Sequence, residues 1–441
     1  MIRGAATASR ARFRAFALIA VPALLSASGC ARPPKTTPLR FWAMGREGEV
    51  VQELVRDFER ENPGIRVVAQ QIPWSAAHEK LLTAFVGGSL PDVVQLGNTW
   101  IPEFAALGAI EPLERFCARS GFDTTTCFAG VWDTNVIDGT LYGVPWYVDT
   151  RLVFYRSDLL ARAGYRELPG SWNEWRRAME ALKRQAGPNR FAILLPANEF
   201  APLVALALAS GSPLLEANGT RGAFSEPAFR RALDFYAGIF RDRLAPPVTN
   251  NEIANLYQEF ARGYFAMYIT GPWNLGEFAA RLPDSLRGAW ATAPLPGPTG
   301  PESGYSLAGG SSLVLCHKSR RKEEAWKLVE FLLRPEQQVR FYRLSGDLPA
   351  RLEAWRDSAL GSDPRVRAFG EQLRRVRPTP KVPEWELIAN RIQEYSERIV
   401  RGAESPDSAA AALDREADRI LEKRRWLMGR RHAGEAAAEV R

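Results

Sequence analysis

The run LYGVPWYVDTRLVFY, residues 141–155, decides the fold. It is a long extended stretch of β-forming residues, interrupted once by the polar triplet Asp149-Thr150-Arg151. β-Branched and aromatic side chains suit a pleated, half-buried surface. A strand that leaves one core and enters another reads this way: apolar, a short polar crossing, then apolar again. Upstream, residues 39–43 make a short strand, and Val50, Val51, Leu54, Val55 and Phe58 recur at helical spacing. Asn62-Pro63-Gly64 stops that helix, residues 65–72 return as a strand, a helix spans about 75–86, and Pro91 precedes a strand at 92–96. Such alternation predicts a mostly parallel α/β sheet.

Downstream the α/β pattern restarts. Ser171-x-x-Glu174 is a capping box that opens a helix carrying Trp175, Met179 and Leu182 on one face. A strand at 191–195 follows, then helices near 199–210, 226–242 and 250–261 and a strand at 264–269. Residues 309–315 read as a second extended crossing, and helices near 321–333, 336–345 and 383–400 finish the domain. Two α/β halves joined by extended crossings predict a hinged, two-lobed molecule with its ligand between the lobes. In open α/β sheets ligands gather at the carboxyl ends of the strands. Trp42, Trp74, Asn98 and Trp100 all fall just past strand ends.

The chain has 441 residues, enough for two or three domains. Hydrophobic residues at 46% and charged residues at 24% exclude disorder over most of its length. No apolar run reaches about 18 residues, so a polytopic membrane protein is excluded. With only three histidines, poly-His metal sites and most imidazole catalysis have little support, and no metal or cofactor is expected. The formal charge of +8 includes Arg3, Arg10, Arg12 and Arg14 in a leading segment with no acidic residue; much of the rest sits in a basic C-terminal tail. No basic stripe interleaved with aromatics is present, which argues against nucleic-acid binding. The 13 tryptophans need a use.

That leading segment has the anatomy of an export signal: basic residues 1–14, an apolar run at 15–25, then Ser26-Ala27-Ser28-Gly29-Cys30. It resembles a bacterial lipoprotein signal, with lipidation at Cys30. Ala27 stands where Leu is usual, and Leu25 lies two residues earlier. A plain secretory signal is the other reading, and both imply export. Residues 30–38 read as a proline-stiffened tether, so a periplasmic or cell-surface protein anchored to the membrane is expected. Export implies an oxidising compartment. Cys117 and Cys127 flank a Gly/Asp/Thr-rich loop, and a disulfide between them is expected; Cys316, in an apolar run, reads as a buried free thiol.

Several segments together resemble the family-1 extracellular solute-binding proteins, the sugar-binding lipoproteins of ABC importers. They are Lys80–Gly88 leading into Pro91-Asp92-Val93-Val94, Tyr142-Gly-Val-Pro145, Phe154–Leu160, Ser171-Trp172-x-Glu174-Trp175, Gly263–Met267 running into Gly271-Pro272-Trp273, Gly309-Gly310, Ala325–Phe331 and Leu348–Arg351. Their order and spacing carry the resemblance, which covers residues 39 to about 425. It implies a two-lobed periplasmic-binding-protein fold of class II type. One lobe is expected at 39–147 with 313–335 and the other at 151–308 with 338–425, leaving a basic, Ala-rich tail at 426–441. It also implies a sugar ligand, ABC permease subunits as partners, and a monomer; five candidate platforms, one face per ring, point to a di- or oligosaccharide.

Sugars present hydroxyls at their edges and C–H patches on their faces, so a sugar site needs aromatic platforms beside planar polar groups. Trp42, Trp74, Trp100, Trp146 and Trp273 are the candidate platforms; Trp172, Trp175 and Trp326 lie within helices and read as core. In the family the Gly-x-Trp position of Trp273 commonly stacks on sugar. Asp149 is costly in an apolar run unless it is paired with Arg151 or serves a ligand. Asn98, Glu199, the backbone of Gly309 and Gly310, and Arg351 complete the set. No catalytic motif is present: no Gly-x-Ser-x-Gly elbow, no phosphate-binding loop, no His-Glu-x-x-His. A binding protein without catalysis is expected. The competing readings are a binder of a non-sugar solute such as glycerol phosphate, which would need a cationic cluster, and a surface-anchored glycan hydrolase.

Overall fold

The two halves of the 141–155 run enter different sheets. In the computed structural model, which describes residues 38–439 with side chains to Arg430, Val144–Asp149 belongs to a six-stranded sheet and Leu152–Tyr155 to a four-stranded one. The polar triplet is the crossing itself. Thr150 donates to the Leu307 carbonyl at 2.8 Å, and Ser306 donates to the Arg151 carbonyl at 2.8 Å. The first crossing is therefore tied side by side to the chain that returns toward Gly309. The export signal, Cys30 and the tether up to residue 37 lie outside the described residues.

The six-stranded sheet runs in the order Leu348–Pro349, Val144–Asp149, Gly309–Leu315, Val93–Gly97, Leu39–Met44, Val67–Ile72. Its last three strands are parallel, as strand–helix alternation predicts. The crossing strands and Leu348–Pro349 pair antiparallel, so the sheet is mixed. Leu348–Pro349 falls in a segment expected to stay with the second lobe; it returns instead to close the edge of the first sheet. The four-stranded sheet runs Ala291–Ala293, Leu152–Tyr155, Phe265–Thr270, Phe191–Leu194, again with both orientations.

Helices cover both sheets because each carries an apolar stripe. Gly45–Glu61 buries Val50, Val51, Leu54, Val55 and Phe58, the residues whose spacing predicts it. Trp172–Ala186 starts where Ser171 accepts from the Glu174 backbone N–H and buries Trp172, Trp175, Met179 and Leu182. Trp326 is likewise core, on the helix Lys322–Leu332. The helix expected over 250–261 is broken into a short turn at Asn250–Glu252 and a helix at Leu256–Ala261, because Thr249 and Asn255 each cap a separate start. Pro406–Ile420 is a further helix within the expected second lobe, and the helix Glu422–Glu439 runs into the stretch expected as a basic tail. Among the described residues no helix is long and apolar enough to cross a membrane.

Cys316 is the buried thiol expected. Cys117 and Cys127 do not form the expected disulfide; both are buried free thiols. Cys117 packs into the core of the first sheet through the helix Glu114–Ser120, and Cys127 bridges to Arg351 through the backbone. Burial pushes the Cys117 thiol up to about 11 and the Cys127 thiol up to about 12, which keeps both protonated and unreactive.

Candidate functional site

Strand ends supply the site. Trp74 is the first residue of the helix Trp74–Val86, just after the strand Val67–Ile72. Trp100 ends the turn Asn98–Trp100 that follows Val93–Gly97. Trp273 is the first residue of the helix Trp273–Arg281, after Phe265–Thr270. All three line a cavity of about 520 Å³, together with Asn98, Asp149, Gly309 and Gly310. That volume lies in the range of small-molecule sites. Trp74 and Trp273 remain 38% and 46% exposed on the wall of this cavity.

The platforms are held rather than loose. Trp74 meets Trp100 edge to face with ring centroids 5.7 Å apart, and His78 packs on Trp100 at 5.1 Å. A Cβ on Gly271 would overlap the Trp273 ring, so glycine is required for the ring to fold back over the strand end. The Arg151 guanidinium lies 4.5 Å from the Trp273 ring centroid and pairs with Asp149 at 3.1 Å. Arg151 is thus both the internal partner foreseen for Asp149 and a cover for one face of the platform.

The floor is the Gly309-Gly310 crossing. Gly310 sits at φ +114°, a backbone state that favours glycine. Asn98 is buried and engaged: its amide donates to the Gly309 carbonyl at 3.2 Å, and its oxygen accepts from Ser312 at 3.0 Å. It lines the cavity while bracing the floor. The inner wall holds residues that sequence reasoning missed: Arg46, Glu47, Tyr147, Phe200, Ser311 and Asp347. The Tyr147 hydroxyl donates to Glu47 at 2.6 Å, and it accepts from Ser311 at 3.0 Å and from Gln95 at 3.2 Å. The signal for Glu47 was present, since it opens a helix directly after a strand end.

Four expected site residues lie elsewhere. Trp146 is fully buried, stacked on Phe341 at 4.4 Å and edge-on to Phe41 at 5.9 Å; its strand has covered faces on both sides, so the alternate residue also points into core. Trp42 is buried among Met44, Ile72 and Leu81, with Lys80 over its ring. Glu199 accepts from the Asn250 side chain and braces the 249–252 turn instead of lining the cavity. Arg351 pairs with Glu353 at 3.0 Å and stacks on Phe122 at 4.8 Å, held outside the cavity by its backbone bridge to Cys127. Among the described residues no group of His, Cys, Asp or Glu is placed to hold a metal.

Residues 43–339 match the bacterial extracellular solute-binding protein family. The chain belongs to that family. The structure of a sugar-binding protein, MalE, from the phytopathogen Xanthomonas citri superposes with a TM-score of 0.86 at 51% sequence identity, covering 89% of this chain and 99% of that one. The diacetylchitobiose binding protein DasA of Streptomyces coelicolor is 25% identical, over 84% of this chain and 86% of its own length. A lipoprotein of Streptomyces antibioticus is 28% identical, over 82% and 83% respectively. The two-lobed architecture is that of this solute-binding family, and the cavity lies where the two sheets of the solute-binding protein are joined by their crossings.

Proposed function

We propose that this solute-binding protein is the receptor of an ABC importer, that it captures a sugar of two or more rings in the cleft, and that it passes the sugar to the membrane permease. The convergence of Trp74, Trp100 and Trp273 on one cavity that also holds Glu47, Asp149 and Asp347 carries the reading. Aromatic faces suit the C–H faces of sugar rings, and carboxylates suit their hydroxyls. Three platforms favour more than one ring, since each ring wants its own face. The 51% identity to a sugar-binding protein supports the same class of ligand.

Trp74, Trp100 and Trp273 would stack on the sugar, Asp149 would accept from its hydroxyls, and the Gly309-Gly310 backbone would approach it closely. Neither turnover nor a cofactor is part of this reading. The chain acts as a monomer, lipidated at Cys30 and held at the membrane by residues 30–38. Residues 39–147 with the returning crossing form one lobe, and residues 151–308 with the later helices form the other.

A thermal-shift panel of mono-, di- and oligosaccharides, with glycerol phosphate as the anionic arm, tests the ligand. A sugar present at about 100 times its Kd adds about 2.7 kcal/mol of stability. A shift from glycerol phosphate and none from any sugar would overturn the reading, as would cleavage products from a glycan incubated with the protein. Cys30→Ser should release the protein from the membrane fraction.

A further inference from the structure

The cleft carries three carboxylates, and only one of them has a cation. Asp149 is paired with Arg151 at 3.1 Å. Glu47 and Asp347 line the same cavity with no Lys or Arg partner among the described residues. Glu47 lies in the first turn of Gly45–Glu61. Asp347 follows the helix Pro335–Ser345 and immediately precedes Leu348, which pairs antiparallel with Val148. One step along that register sets Asp347 across from Asp149, and like charges facing across a strand pair repel.

The groups acting on Asp347 are Asp149 across the register, Glu47 and Tyr147 on the same cavity wall, and Ser345, whose hydroxyl accepts from the Asp347 backbone N–H at 3.0 Å. Two nearby cations are engaged elsewhere. Arg46 donates to the Leu344 carbonyl at 3.3 Å, pairs with Glu49 at 3.5 Å and stays 64% exposed. Arg343 pairs with Asp357 at 3.0 Å. Glu47 is held in place by the 2.6 Å bond from Tyr147. Burial, then the charges of Glu47 and Asp149, push the Asp347 carboxyl up to about 7.

We propose that Asp347 meets the ligand in its protonated form, on the wall it shares with Glu47, so that Asp347 is a specificity-determining residue for uncharged sugars and sugar capture takes up a proton. Closing the cleft on a neutral sugar removes water from both acids, which makes a second negative charge there more costly. Protonated Asp347 offers one O–H donor and a carbonyl acceptor, the complement of a sugar hydroxyl that both accepts and donates. An anionic solute would add a further negative charge to the same wall. By linkage, sugar and proton then raise each other's affinity.

The inference rests on the sugar reading, and the two fail differently. Isothermal calorimetry with maltose and with diacetylchitobiose, run from pH 6 to pH 9 in buffers of different ionisation enthalpy, is the test. If closure raises the apparent pKa of Asp347 by about one unit, the Kd weakens about tenfold over that range, with net proton uptake near neutrality. In Asp347→Asn, and independently in Glu47→Gln, the ratio of Kd at pH 9 to Kd at pH 6 should fall toward one. A flat wild-type profile, proton release on binding, or an Asp347→Asn variant that keeps the slope overturns the proton coupling alone. Binding of neither sugar at any pH overturns the coupling together with the sugar reading. Carboxyl NMR of the ligand-free protein gives a reading that needs no variant: Asp347 titrating below about 5, near the ordinary carboxylate range, overturns the protonated Asp347.

Discussion

Trp273 and Trp146 carry the same side chain into opposite environments, and their substitutions should separate cleanly. Trp273 is 46% exposed on the cavity wall, whereas Trp146 is fully buried. On the sugar reading, Trp273→Ala should weaken sugar binding by about 1–3 kcal/mol, roughly ten- to a hundredfold, with little change in the melting temperature of the unliganded protein. Trp146→Ala should instead cost about 3–5 kcal/mol of stability. Calorimetry and thermal denaturation on the two variants check both, and a large loss of unliganded stability in Trp273→Ala would move that residue into the core. Gly271→Ala should resemble Trp273→Ala in affinity, because the added methyl displaces the ring. The sequence separated these tryptophans only in part. Trp273, Trp74 and Trp100 follow strand ends and were legible. Trp42 and Trp146 look equally placed in the sequence, but alternation along a strand covered on both faces does not tell cavity from core. Asp347 was illegible because a carboxylate between a helix and a two-residue strand has no local pattern; the antiparallel return of Leu348–Pro349 gives it its place.

Between elements, His78 joins the helix Trp74–Val86 to the helix Ile101–Ala106 through a 2.6 Å contact with Glu103. The hydrogen bond to Glu103 raises the His78 pKa above its ordinary value, against burial, which lowers it. A raised folded-state pKa means that this stabilisation is full below the unfolded value near 6.5 and is lost as pH rises through the folded value. Thermal melts across that window should show a decline that His78→Gln removes, worth under about 1 kcal/mol because both side chains are partly exposed. If the two proteins decline in parallel, the pair contributes nothing. Helix existence was readable from periodicity in most of the chain, whereas caps decided the exceptions. The break at 253–255 follows from Thr249 and Asn255 starting two separate turns. The helix Pro406–Ile420 also announces itself, with Ser405 as cap and Pro406 at the first position, although no helix was expected after Val400.

At the scale of the whole molecule, the crossings decide how the halves can move. The ties from Thr150 to Leu307 and from Ser306 to Arg151 make neighbouring crossings a single strip, so the halves should pivot about it together. Lys381 adds a tether on another segment, donating to the Asp133 carboxylate at 2.8 Å and to the Val136 carbonyl at 2.9 Å. Small-angle scattering should show a smaller radius of gyration with a saturating sugar, since ligand shifts an open–closed population through contacts made by both sides. An unchanged radius would mean a cleft that does not close. The double crossing was the most legible feature of the fold, because an extended apolar run broken by three polar residues has few other uses; the closing strand at 348–349 was not, being too short for any periodicity. The Arg151 guanidinium over Trp273 has an optical consequence. A cation resting on an indole perturbs its excited state, and on the sugar reading a ring stacked on Trp273 would change that environment and exclude water. Of the 13 tryptophans, Trp74, Trp100 and Trp273 line the cavity, while Trp42, Trp146, Trp172, Trp175 and Trp326 are buried in cores. Ligand arrival should therefore change the intrinsic emission through the cavity set against a steady background from the buried one. The unlabelled protein would report its own occupancy.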